Sequence, residues 1–196
     1  MLKVGLTGNI GSGKSLAAKI FSVLGIPVFN ADDVSKSLLS REDIRLRLSH
    51  LFGEIIFTKT GDVDRSALAT LVFSDRDALI RLNHIMHPPV MEEFSAWCEQ
   101  QSGKAYVINE SAIIYEYEFQ DNFDKIIHVS CPVEIALQRV VRRDGVAVEE
   151  VLKRTNSQLT DKEKAVLSDF TILNDGSQLV IPQVLRIHDL LLQVCP

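Results

Sequence analysis

The chain has 196 residues and a formal charge of −5, from 21 Lys+Arg against 26 Asp+Glu. With 46% hydrophobic and 24% charged residues it has the composition of a folded globular protein, which excludes disorder. The acidic balance argues against a nucleic-acid or anionic-membrane partner, both of which favour basic chains, but leaves room for a small anionic ligand on a local basic patch.

Residues Leu2 to Thr7 (LKVGLT) form a short apolar run consistent with a buried parallel strand. The segment GNIGSGKS, Gly8 to Ser15, follows. Then comes a helix-compatible stretch with Leu16, Ile20, Val23 and Leu24 on one face and Gly25 as C-cap. A second strand, IPVFN, ends at Asn30-Ala31-Asp32-Asp33, so the first part of the chain reads as a right-handed βαβ unit. From Val34 to Gln101 the chain is predicted to be mostly helical, broken by Gly53, by TKTGD and by Pro88-Pro89, as a helical cap over the sheet edge.

A third strand, KAYVIN, ends at Glu110, and a fourth, DKIIHVS, ends at Cys131-Pro132. Helical patterns cover VEIALQRVVRRDG, VAVEEVLKRTNSQ and TDKEKAVLS. A fifth strand, DFTIL, ends at Asn174-Asp175-Gly176. A final helix, 178–194, places Ile181, Leu185, His188 and Leu192 on one stripe. Five strands alternating with helices predict an α/β fold: a five-stranded parallel sheet with helices on both faces, in a single domain.

Three widely spaced cysteines, Cys98, Cys131 and Cys195, read as free thiols in a reducing compartment, and no Cys/His spacing suits zinc. The first apolar run breaks at Gly5 and no stretch of about 18 apolar residues occurs. Neither a secretory leader nor a membrane-spanning helix is expected, and the chain reads as a cytoplasmic protein of open oligomeric state.

GNIGSGKS fits G-x-x-x-x-G-K-[ST], and the strand before it and helix after it give the match its specificity. The glycines let backbone amides of Asn9, Ile10, Gly11, Ser12, Gly13, Lys14, Ser15 and Leu16 form a nest for phosphate oxygens, at the positive end of the following helix. Lys14 supplies a mobile charge for the β- and γ-phosphates of a nucleotide, and Ser15 a hydroxyl ligand for Mg²⁺. The alternative is a glycine-rich turn with an incidental lysine. GTPase motifs are missing: no Asp stands three residues before a Gly, and no Asn precedes a Lys.

Arg139 lies three residues before Arg142 and four before Arg143, so all three share one side of a helix. They suit the charge that spreads over a transferring phosphoryl group, as lid residues of a kinase; a solvated helix face is the competing reading. Asp32, at the end of the second strand, can accept a proton from an acceptor hydroxyl, with Asp33 as competitor and a helix N-cap as the plain alternative. Glu110 can act on Mg²⁺ through water or stand as an exposed strand-end acid.

The ordered set of motifs resembles the dephospho-coenzyme A kinase family over nearly the whole chain. GLTGNIGSGKS resembles the family P-loop, with Asn9 for the usual glycine, and FNADDVSK its second-strand block with the acceptor-side acid on Asp32. DRSALATLVF carries Arg65 and LNHIMHPPV carries His87. ESAIIYE resembles D-[IV]-P-L-L-F-E, with Glu110 for Asp, Ala112 for Pro and Glu116 retained. QRVVRRDG retains Arg139 and Arg143, RTNSQ matches R-x-x-x-Q with Arg154 and Gln158, and SDFTILNDG keeps Asn174 with Ser168 for Ala.

The resemblance implies ATP- and Mg²⁺-dependent phosphorylation of the ribose 3′-hydroxyl of dephospho-CoA. It further implies a nucleoside-monophosphate-kinase-like core, a CoA-binding helical insertion at 34–101 and a lid at 139–168. Arg65, His87, Glu110, Glu116 and Arg154 would serve the acceptor substrate, Asn174 the adenine edge. His87 before a proline also fits a purely structural break. Residues 139–164 hold seven basic and five acidic side chains, a net of +2 in a chain of −5.

Overall fold

In the computed structural model, which describes residues 1–194, the strands are β1 (Leu2–Thr7), β2 (Val28–Asn30), β3 (Tyr106–Glu110), β4 (Lys125–Ser130) and β5 (Phe170–Leu173). They pair in parallel in the order β2-β3-β1-β4-β5, giving one five-stranded sheet. Cys195 lies outside the described residues. The helices are α1 (Lys14–Val23), α2 (Ala31–Leu38), α3 (Glu42–Phe52), α4 (Arg65–Ser74), α5 (Arg76–Glu99), α6 (Val133–Asp144), α7 (Val148–Thr155), α8 (Asp161–Leu167) and α9 (Val180–Val194). The chain divides into two compact units, Met1–Asn30 with Cys98–Pro196, and Ala31–Trp97.

The first unit holds the sheet. Alternate strand residues Val4, Leu6, Tyr106, Ile108, Ile127, Val129 and Ile172 point to one face. There they pack on Ala17, Ala18 and Phe21 of α1 and on Val184, Ile187 and Leu191 of α9. The opposite face presents Gly5 and Ile126, which meet Ile114, Tyr115, Phe119 and Phe123, and α8 packs on β4 from that side.

Two predicted helix faces are partly rotated. Along α1, Ile20 and, just past its end, Leu24 pack against the core as predicted, but Val23 is 81% exposed and Leu16 is 50% exposed, and the small Ala17 and Ala18 face the sheet. Ile181, Leu185 and Leu192 are exposed on α9 and the stripe one residue away is buried. In both cases the apolar residues outnumber what one face can hold, and close helix–sheet approach selects the face with small or β-branched side chains. His188 still reaches inward, its Nδ1 2.7 Å from the Tyr106 hydroxyl.

Edge strand β5 is closed by a side chain. The Leu173 amide donates to Gln183 Oε1 at 2.8 Å, and Gln183 Nε2 donates to the Leu173 carbonyl at 2.9 Å.

The second unit is helical, as predicted for this stretch. Asp64 caps α4 by accepting from the Ser66 and Ala67 amides, and Arg65 donates to the Lys36 carbonyl at 3.2 Å. Arg45 donates to the Gly61 carbonyl across the predicted turn. The predicted break at Pro88-Pro89 is absent: α5 runs through both prolines for 24 residues. Two prolines remove only two amide donors, and burial of Ile85, Met86, Val90 and Phe94 along the same helix holds it together.

His87 stands within this stretch, and burial, with His84 adding to it, lowers its imidazole to about 4. The folded chain keeps His87 neutral where an unfolded chain protonates it near pH 6.5. Its folded value lies below its unfolded one, so its contribution to stability is complete above pH 6.5 and is lost as pH falls toward 4. Denaturation curves across that interval should show the wild type losing up to about 3 kcal/mol more than His87→Gln. Parallel losses in the two proteins would show that His87 titrates alike in both states.

Candidate active site

β1 is flanked on both sides, so the loop leaving its carboxyl end, Gly8–Gly13, stands beside the ends of β3 and β4. Gly8, Gly11 and Gly13 have φ of +152°, +80° and +96°, conformations that turn successive amides inward. At all three the surroundings also exclude a side chain: a Cβ on Gly8 would strike the Ser12 hydroxyl and the Val129 carbonyl. A Cβ on Gly11 would strike the Ala136 carbonyl of α6, and one on Gly13 the Asn174 carboxamide. Asn174 follows β5 and donates to the Ser12 carbonyl at 2.7 Å. The loop is thus held from α6 on one side and from the end of β5 on another.

Lys14 is buried, and its Nζ folds back to the Gly8 carbonyl at 2.9 Å and the Asn9 carbonyl at 3.4 Å. The ammonium is therefore placed over the nest rather than in solvent. Three of the predicted nest amides are already engaged: Ile10 donates to Gln158 Oε1, Ser12 to the Asn9 carbonyl, and Leu16 to the Gly13 carbonyl, closing the first turn of α1.

Glu110 ends β3 opposite Leu6 of β1 and is 7% exposed. Its carboxylate accepts from the Ser15 hydroxyl at 2.7 Å and from Asn30 Nδ2 at 3.4 Å. A hydroxyl beside a carboxylate is a hard oxygen set that suits Mg²⁺. Among the described residues no group of three or more His, Cys, Asp or Glu could hold a metal.

The arginines rise from α6 and α7. Arg139 is half-buried and donates to Cys131 Sγ at 3.4 Å. Burial pushes the Cys131 thiol up and Arg139 opposes it, so the sulfur stays protonated. Arg143 grips Asp144 through Nε and Nη2 at 2.6 and 2.9 Å and lowers its carboxyl, with Arg154 adding to the effect. Arg142 is exposed.

The Glu116 side chain is buried. Its Oε1 accepts from Lys164 Nζ at 2.7 Å and from the Leu159 amide at 2.9 Å, with the two side chains 6% and 0% exposed. Lys164 and Gln158 carry no predicted role, yet both prove central to this region; one stands in a charged surface-like run and the other in a polar turn. Nearby, Asp161 accepts from His128 Nε2, the Ser130 hydroxyl and the Cys131 amide. Burial raises the Asp161 carboxyl, and these bonds together bring it below its ordinary value.

Four residues singled out in the sequence belong to the helical unit. Asp32 is not at a strand end: β2 stops at Asn30, and Asp32 is exposed in the first turn of α2, where a carboxylate is favoured by the helix dipole. Asp33 pairs with Lys36 at 2.7 Å. Arg65 opens α4, and His87 is half-buried in α5.

A nest of inward amides at the central strand of a parallel sheet, with lysine, serine and acid converging on it, makes this protein a P-loop phosphotransferase. The family model of dephospho-CoA kinase matches residues 2–179, and the chain belongs to that family. It is 37% identical over 193 residues to a dephospho-CoA kinase of Bacteroides fragilis, covering 98% of this chain and 94% of that one. A dephospho-CoA kinase of Porphyromonas gingivalis is 36% identical, over 95% and 93% of the two chains. A crystal structure from Thermus thermophilus superposes with a TM-score of 0.84 at 31% identity, over 96% of both chains. A shikimate kinase of Acinetobacter baumannii, at 17% identity and a TM-score of 0.55 over 98% and 94% of the chains, shares the fold.

Gly13→Ala should displace the Asn174 carboxamide and force a strained φ. ATP affinity measured by calorimetry should fall about tenfold or more, with about 1–2 kcal/mol lost from stability. Unchanged affinity would mean that the loop tolerates a side chain there and that Asn174 does not define its shape.

Proposed function

We propose that this protein transfers the γ-phosphoryl group of ATP to the ribose 3′-hydroxyl of dephospho-CoA, giving coenzyme A and ADP, the last step of coenzyme A synthesis. One observation carries the reading: a P-loop serine bonded at 2.7 Å to a buried strand-end acid, in a chain whose family match spans residues 2–179. Free, buried Cys98 and Cys131 agree with a cytoplasmic setting. No helix among the described residues is long and apolar enough to cross a membrane.

Ser15, with Glu110 acting through water, would hold Mg²⁺, which when bound neutralises charge on the β- and γ-phosphate oxygens. The loop amides and Lys14 Nζ orient the triphosphate; Lys14 exchanges its carbonyl partners Gly8 and Asn9 for phosphate oxygens. The acceptor oxygen forms its bond to the γ-phosphorus as the bond to the β,γ-bridging oxygen breaks. The hydroxyl proton passes to the Asp32 carboxylate, and ADP leaves. Arg139 and Arg143 of α6 offset the charge that develops, in a lid spanning residues 139–168, where Arg154 of α7 serves the acceptor substrate. Residues 34–101 serve as the acceptor-binding insertion, where Arg65 supplies a cation for an acceptor phosphate and His87 a further contact. Asn174 meets the adenine edge.

Purified protein with ATP, Mg²⁺ and dephospho-CoA should yield coenzyme A and ADP in equal amounts. A folded, ATP-binding protein without turnover would overturn the reading, and a faster rate on AMP, CMP or a nucleoside would reassign the acceptor. Asp32→Asn should lower kcat about 100-fold or more with ATP affinity unchanged. A loss confined to ATP affinity would remove Asp32 from the acceptor side.

A further inference from the structure

The turn between α7 and α8, residues 156–160, is bound to the crown of the P-loop. Gln158 Oε1 accepts from the Ile10 amide at 3.0 Å, and Gln158 Nε2 donates to the Ala112 carbonyl at 3.3 Å. Alongside, Asn9 Nδ2 donates to the Leu159 carbonyl at 3.1 Å. The crown is thus tied twice to a segment almost 150 residues away in the chain, and each tie uses both a donor and an acceptor of known position.

The floor under this turn is charged and buried. The Leu159 amide donates to Glu116 Oε1, and Lys164 bridges Glu116 and the same Ala112 carbonyl at 2.7 and 2.8 Å. Ala112 therefore receives both Gln158 and Lys164, joining the ion pair to the latch. Asp161, held by β4 as described, fixes the start of α8, and the Thr160–Glu163 capping box closes its first turn. A buried pair of this kind resists displacement, since loss of one partner leaves an uncompensated charge. A well-anchored turn thus grips the loop at the Ile10 amide and at the Asn9 side chain.

We propose that Gln158 is a positioning residue for nucleotide binding: it holds Ile10 and the P-loop crown in the phosphate-receiving shape and keeps them in register with α7. The inference rests on the phosphotransferase reading of the P-loop. Glutamine suits the position because it must accept from one backbone and donate to another at once. Arg154 lies four residues before it on the same helix-and-turn segment, so a shift of the crown and a shift of that arginine are linked. Gln158 touches no reacting atom; its effect passes through the Ile10 amide.

The test is Gln158→Met, which keeps length and bulk and removes both bonds. ATP affinity by calorimetry should weaken about three- to tenfold, the value of one or two hydrogen bonds. The KM for ATP should rise and kcat should fall, with the KM for dephospho-CoA unchanged. Exchange of the Ile10 amide, followed by NMR, should become faster than in the wild type. Wild-type ATP affinity with wild-type Ile10 exchange would overturn the proposal. So would a uniform rise in both KM values matched by a fall in thermal stability, which would make Gln158 merely structural. Calorimetry needs no acceptor, so wild-type failure to phosphorylate dephospho-CoA would strike the proposed acceptor and leave this test standing.

Discussion

Parallel pairing of β1 with β3 on one side and β4 on the other decides where every group of the phosphate site stands. A parallel ladder brings the carboxyl ends of neighbouring strands to one level. The loop after β1, the acid that ends β3 and the start of α6 after β4 must therefore meet. Ser15 reaches Glu110 because Leu6 and Glu110 are register partners, not because the two are near in sequence. Close approach then dictates glycine at positions 11 and 13, where α6 and Asn174 press on the loop.

Charge is distributed more economically than composition suggests. Residues 139–164 carry a formal +2, yet two of their cations are already committed. Lys164 is buried against Glu116, an acid from outside the segment, and Arg143 is chelated by its neighbour Asp144. The pair with Glu116 is a structural fixture beneath the P-loop, whereas the exposed Arg143–Asp144 pair sits in high dielectric and contributes little to stability. Arg143 can therefore be drawn away by a phosphate at small cost, and Lys164 cannot.

The P-loop was legible because its pattern is local: glycine, lysine and serine at fixed spacing between a strand and a helix require no knowledge of the rest of the chain. The parallel sheet followed from alternation of short apolar runs with helical ones. What failed depended on partners distant in sequence. The apolar faces of α1 and α9 are set by how closely each helix can approach the sheet, which periodicity does not reveal. Local rules predict a break at the prolines of α5 because they count lost donors and ignore the burial that compensates them. Lys164 resembles any surface lysine in TDKEKAVLS, and only the fold brings Glu116 to it. Glu110 was correctly placed at a strand end, but its contact with Ser15 follows from register alone.

The glutamine side chain at the margin of the sheet has a consequence for the behaviour of the protein in a crowded solution. A terminal strand offers unpaired amides and carbonyls to any extended peptide, and neighbouring molecules can polymerise through such an edge. Here Gln183 presents a carboxamide to Leu173 as a further strand would, donating and accepting in one plane. A second molecule would have to displace both bonds before its own backbone could join at Leu173. With β5 only four residues long, that one substitution of side chain for strand blocks a large part of the edge that could template aggregation.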